Sequence, residues 1–445
     1  MKLKNGKLFV IVLVFICLSA ALVAREIKPQ PIEGEKTSDE PGADFAYEVA
    51  QTTNAVTLAR RISGWNGGGT GRLSAAVSGD TVTVTGNVTD ATATLRLNIP
   101  AGVTVVWQAA LTGSPIGNPG RVSGLINVIG DGTFEVASGK IEKTGNDGYS
   151  AAILSGEGNN KDNGAVIVSG GIVRSTSGRG IRAWGAGRTV TISGGTVSCT
   201  YGTAISYNST LTISGGTVES TNGSAIVAFG RLTISGGKVS GASGNSAAHR
   251  TVISAADARD ARPVQITISG GTVESKVNEG IAIHVNRGTV EVSGGTVEAR
   301  GDGATAIHAG HGVTVSGGTV SATDGMAIST GVNSTVSIKG GLVFAYGSEI
   351  ATNYTNLISP DMDAVIYIYE GRGVEQGKLN KTTGNGVVVA WDTVKGTRAY
   401  TAGTTTDLTV DPAGAAEWGI DGNNGGIRYG ANSFFIIPGI TVNTP

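Results

Sequence analysis

The chain is short of most of the features that staple a fold or recruit a charged partner. Only two cysteines occur in 445 residues, Cys17 and Cys199. Cys17 lies in an N-terminal stretch with the features of a removable leader, so Cys199 stands alone and no intramolecular disulfide closes the remaining chain. Charged residues make up 15% and nearly cancel. Without the first 24 residues, which hold three lysines and no acid, 30 basic residues face 34 acidic ones, a net charge of −4. That balance offers no basic field to draw nucleic acid or anionic lipid. Aromatics are 5%, so large rings do not build the core. Proline is scarce at 11 residues, and the 71 glycines show no G-x-y period, which excludes a collagen-like chain. The longest apolar run, Leu8 to Leu18, is too short to span a bilayer comfortably.

That run follows Lys2, Lys4 and Lys7 and precedes Ser19, Ala20, Ala21 and Ala24, the layout of a secretory signal peptide over residues 1–24. The mature protein is therefore expected outside the cell or on its surface, with no membrane span. Residues 25–64 include KPQPIEGEKTSDEPGA, charged and without periodicity, which reads as a disordered tether.

What the chain has is a repeat. Between Val166 and Val343 one phrase recurs eight times, as in VTISGGTV at 190, LTISGGTV at 211 and VTVSGGTV at 313. Its first glycines are Gly170, Gly194, Gly215, Gly236, Gly270, Gly294, Gly317 and Gly340, separated by 24, 21, 21, 34, 24, 23 and 23 residues. A period of that size means stacked units that bury their apolar faces on one another. Counted from the first glycine, positions four and two before are always aliphatic, and position three after is always Val. Position five after is always small or a thiol, from Ser175 and Cys199 to Ala322 and Ala345. Ile181, Ile205, Ile226, Ile281 and Ile328 stand eleven residues after their glycines and are expected to point inward as a third strand. Thr fills the columns between, which is ordinary chemistry for a solvated strand.

Three short strands per rung of about 23 residues predict an all-β right-handed parallel β-helix, the hand following from the crossover rule for parallel strands. The Gly-Gly pair is expected to make the tight corner, because positive φ costs glycine little. Residues 65–127 read as an N-terminal β cap with the first rungs, 128–360 as the helix proper, and 361–445 as a C-terminal β region. The long step after Gly236 predicts an insertion over 242–263, charged and loop-like.

The SGGTV repeat, with its Asp324-Gly325-Met326-Ala327-Ile328 variant, resembles secreted bacterial parallel β-helix proteins of the pectin-lyase-like architecture, within them the non-catalytic carbohydrate-binding and adhesin-like members. The resemblance implies the fold and, more loosely, a polysaccharide or cell-surface glycan as partner. Hydrolases of this architecture would pair an Asp-Asp and an Arg-x-Lys with a Gly-His-Gly. Here Gly310-His311-Gly312 stands without either companion. A lyase would want a calcium-holding set of Asp beside a base, and Asp257 and Asp260 with Arg259 and Arg262 are the nearest approach. No cofactor is required by the sequence, and calcium stays open. The alternatives are therefore a lyase or hydrolase of acidic polysaccharide, with its site in the insertion, and a structural surface protein.

Two sets of side chains depart from the repeat. Arg182, Trp184, Tyr207 and Phe229 follow the third-strand Ile of consecutive rungs and are candidates for stacking on sugar faces. Strand alternation puts Trp184 and Phe229 outward and Tyr207 inward unless its strand ends early. His284 and His308 occupy like places on adjacent rungs, with His311 close by, and are candidates to share a metal; exposed histidines on a surface ladder are the plainer reading.

Overall fold

The computed structural model describes residues 54–115, 122–156, 162–241, 250–255, 263–301, 303–330 and 335–347, then short strand segments between 351 and 435. The expected signal peptide and most of the expected tether lie outside the described residues. The described chain is an all-β parallel solenoid with three walls per turn.

Every wall keeps strict register, because equivalent residues of successive rungs pair. On the first wall Val166 sits beside Val190, then Leu211, Leu232, Ile266, Val290, Val313 and Val336. On the second, just past the glycines, Val173 begins a column through Val197, Val218, Val239, Val273, Val297, Val320 and Val343. From Val173 to Val343 these side chains are completely buried, each stabilising the stack by about 2 kcal/mol relative to exposure. A one-residue slip would turn every column to water, which is why the register is specified so firmly.

The third-wall column differs from the expected one. It runs Ile181, Ile205, Ile226, Ile253, Ile283, Ile307 and Ile328. Ile281 is not a member: it pairs with Thr251 and is partly exposed. Ile283 and Ile307 stand thirteen residues after Gly270 and Gly294 where eleven was expected, so counting from the glycine lands two short on those rungs.

The two glycines of each corner serve different ends. The second has positive φ, from 64° at Gly171 and Gly195 to 80° at Gly341, where a side chain is strained. The first has no such φ. Instead, a β carbon there would press on the Ser carbonyl of the preceding rung, as Gly194 on Ser169, Gly215 on Ser193 and Gly270 on Ser235. One glycine makes the bend, and the other lets the rungs approach.

The stack does not end in open strands at its N-terminal end. Within the expected tether, Ala55–Ser63 is an α-helix, with Asn54 capping it through a bond from the Thr57 amide at 2.9 Å. Its buried residues Ala55, Leu58, Ala59 and Ile62 share one face and join the solenoid core. The expected tether therefore does not extend over Ala55–Ser63. An antiparallel hairpin, Thr70–Ser78 with Thr81–Ala91, follows, and its second strand already pairs in parallel with Thr104–Trp107 of the next rung.

The insertion after Gly236 is not one loop. Thr251–Ala255 is the third-wall strand of that rung, seated between Ile226–Ala228 and Ile281–Val285. A rung that skipped this wall would leave two neighbours without ladder partners, so the additional residues divide around the strand. At the C-terminal end Val365–Glu370 still stacks in parallel on Leu342–Phe344, after which pairing turns antiparallel from Val387–Asp392 onward. No helix among the described residues is long and apolar enough to cross a membrane.

Candidate functional site on the third wall

The register gathers most of the singled-out side chains onto one face. Outward positions of the third wall form a ladder of Arg182, Ser206, Val227, Ser254, His284, His308 and Ser329. Just beyond it, past the paired Ala183, Tyr207 and Ala228, come Trp184, Asn208 and Phe229. Their amides donate to Ser155, Ala183 and Tyr207 carbonyls of the preceding rungs. The arginine, the two rings and the histidine pair thus share one wall, with rungs about 4.8 Å apart.

The aromatic group is smaller than expected. Trp184 and Phe229 are partly exposed and meet edge to face, with ring centroids 5.3 Å apart and planes at 65°. The Arg182 guanidinium lies over the Trp184 ring, 4.8 Å from its centroid. Tyr207 does not belong. It is 1% exposed, in the interior column between Ala183 and Ala228, and burial pushes its phenol well above the ordinary value. Its strand runs through to Tyr207, so alternation holds and the ring is driven inside. Asn208 takes the outward place on that rung, where its side-chain oxygen accepts from the Gly185 amide at 2.9 Å. With so small a group turned aside, the rings on the flanking rungs reach one another.

Two cations here have no carboxylate among the described residues. Arg179 and Arg182 form no ion pair among the described residues. Burial holds both guanidinium groups below the usual arginine range, and for Arg182 the charge of Arg179 adds to the effect. Several other cations of the solenoid are paired, among them Lys143, Arg188 and Arg250. On the second wall Glu274 is ringed by Lys238 at 3.0 Å, Lys276 at 3.4 Å and Arg300 at 3.8 Å.

His284 and His308 are adjacent, with ring centroids 4.8 Å apart and tilted by 60°. Nδ1 of His308 lies 3.1 Å from the Ser329 hydroxyl. His311 is exposed in the following corner, where its amide donates to Gly288. Among the described residues no three His, Cys, Asp or Glu side chains are grouped to hold a metal, so the three histidines do not form a closed ligand set. Gly310 is explained by packing, since a β carbon there would strike the Asn286 carbonyl. Asp257, Arg259, Asp260 and Arg262 lie outside the described residues.

The histidine pair carries a pH signature. Burial lowers both pKa values from 6.5, and for His284 the neighbouring His308 adds to it. A depressed folded-state value favours the neutral ring, so this contribution is complete above about 6.5 and is lost as the pH falls below it. Urea unfolding at pH 7 and pH 5 is expected to show a lower midpoint at pH 5, and the His284→Gln/His308→Gln double variant a smaller drop. An equal drop in both proteins would mean that the pair is uncoupled from folding.

The remaining buried polar groups support the coil. Lys143 occupies the interior small-residue column beside Ser175 and donates to the carbonyls of Ser177 at 3.2 Å and Asp147 at 3.3 Å. Burial lowers its pKa against the pull of Asp147. Cys199, one rung beyond Ser175, is buried, and its thiol is pushed up to about 11, chiefly by desolvation. A thiol so protonated is a packing group, not a nucleophile.

Compared with protein-family models, with curated proteins and with solved structures, the chain gives no match.

Proposed function

We propose that this is a secreted or surface-attached, non-enzymatic protein that binds a polysaccharide on the third wall of its solenoid, as carbohydrate-binding or adhesin-like members of the pectin-lyase-like architecture do. The observation that carries the reading is the outward trio of Arg182, Trp184 and Phe229 in a chain that otherwise presents few rings. Partly exposed aromatic rings offer apolar faces and edges to the CH groups of a sugar ring. Their amides are hydrogen-bonded to the preceding rungs and they directly follow paired strands, so less conformational freedom remains to be lost on binding. A solenoid wall is extended and repeats at regular intervals, which suits a polymer better than a small molecule. Binding requires no cofactor in this reading, and calcium dependence is checked by repeating the assay with chelator.

Affinity electrophoresis in gels containing neutral or acidic polysaccharides tests the proposal. Trp184→Ala and Phe229→Ala are each expected to weaken retardation about tenfold, a loss of about 1.4 kcal/mol, while far-UV spectra stay unchanged. Unaltered retardation would remove the aromatic site. Release of new reducing or unsaturated ends from the polymer would instead favour the enzymatic alternative.

A further inference from the structure

Resting on that reading, we infer that the ligand is an acidic saccharide, its anionic groups held by Arg179 and Arg182 and its rings laid against Trp184, Tyr149 and Tyr201. The two arginines lie three residues apart on one strand, close enough for the charge of one to disfavour that of the other. Neither has a carboxylate among the described residues, although each is partly buried and its side chain is held in place. Arg182 is stacked on Trp184, and the Arg179 guanidinium donates to the Tyr149 carbonyl at 3.4 Å. Two like charges kept together, partly desolvated and without a counterion among the described residues, carry an electrostatic cost that a bound anion relieves. Guanidinium groups match carboxylate and sulfate oxygens through paired N–H donors.

The apolar half of the inference comes from what surrounds them. Few large hydrophobic or aromatic side chains are strongly exposed among the described residues, and two of these flank the arginines. Tyr149 is 66% exposed and Tyr201 59%. Tyr149 precedes the strand whose Ala151 pairs with Arg179, and Tyr201 stands one rung on, beside Ser177. The two arginines thus lie between Tyr149 of the preceding rung and Trp184 of their own, with Tyr201 one rung on and Phe229 two. A neutral sugar would need the rings alone. Two cations with no carboxylate among the described residues, set between exposed rings, fit a chain of sugar residues that bear carboxylate or sulfate groups.

Isothermal titration with the full chain uses four probes: polygalacturonate, its methyl-esterified form, dextran sulfate and unsubstituted dextran. Polygalacturonate is expected to bind at least tenfold more tightly than its ester. Arg179→Gln and Arg182→Gln should each remove about tenfold of the affinity for polygalacturonate. The dextran pair reports whether sulfate serves in place of carboxylate. Equal affinity for acidic and neutral polymers, or acidic binding untouched in both arginine variants, would overturn this inference and leave polysaccharide binding standing. No heat with any polymer would overturn both. Thermal midpoints of the variants, expected within a few degrees of the parent, separate lost binding from lost fold, and the comparison between polymers on the unaltered chain needs no variant.

Discussion

Gly270→Ala is expected to lower the unfolding free energy by about 3 kcal/mol, the upper range for an added methylene that its surroundings cannot accommodate. The backbone at Gly270 does not have the positive φ that reserves a site for glycine, so propensity alone predicts a mild change. The obstacle is the neighbouring rung. A β carbon there would lie closer than 3.0 Å to the Ser235 carbonyl oxygen, a backbone atom with no rotamer to escape into. Relief requires the rungs to part, at the expense of ladder bonds on both sides. Gly271→Ala has the added burden of φ 71°, itself a cost of about 1–2 kcal/mol. Ser269→Ala, exposed on the adjoining residue, is the control and should stay within about 0.5 kcal/mol. Guanidinium unfolding of the three variants gives the comparison; a Gly270→Ala protein as stable as Ser269→Ala would mean that rung spacing is not limiting.

Arg188→Met is expected to be comparably damaging. The Arg188 side chain is 1% exposed, and its guanidinium ties three rungs together. It donates to the Ser155 hydroxyl at 2.8 Å, the Gly130 carbonyl at 3.3 Å and an Asp162 oxygen at 3.1 Å. That same Asp162 oxygen accepts the Gly130 amide at 2.9 Å. Methionine fills much of the volume but takes the guanidinium donors away from a carboxylate, a hydroxyl and a carbonyl. Removing one partner of a buried pair costs about 3–5 kcal/mol, and because Asp162 is 27% exposed the lower figure applies. Adding Asp162→Asn to Arg188→Met should recover part of the loss by removing a negative charge whose arginine is gone, while the Gly130 amide keeps its acceptor. A double variant less stable than the single one would contradict the pair as described.

The glycine phrase made the interior readable, because it recurs eight times and each column holds one kind of residue. Val173 to Val343 could be placed by counting alone. Counting failed where the step from the glycine lengthens, at Ile281, since no feature within a single rung reveals two added residues. Alignment on the AIH motif of His284 and His308 would have found the shift. The capping helix was legible too: apolar residues at 55, 58, 59 and 62 lie on one helical face, but the charged segment before them dominated the reading. Lys143 could have been noticed as a long side chain in a column of small ones. Its partners could not, because they come from carbonyls that only the folded corner brings inward. The candidate site was half legible. Trp184, Phe229 and the histidine pair were found as departures from the repeat, and alternation already placed Tyr207 inside. Arg179, Tyr149 and Tyr201 were missed because their importance lies in exposure and in the absence of a charged partner, neither of which a one-dimensional pattern records.

The central claim is that the repeat builds the coil and that recognition resides on the third wall. Hydrogen–deuterium exchange read by mass spectrometry, with and without saturating polygalacturonate, locates the ligand directly. Added protection confined to peptides covering 149–156, 179–186, 201–209 and 226–231 is the predicted result. Protection instead along the Thr columns at 191, 212 and 233 or at 196, 217 and 272, with the third wall unchanged, would contradict it.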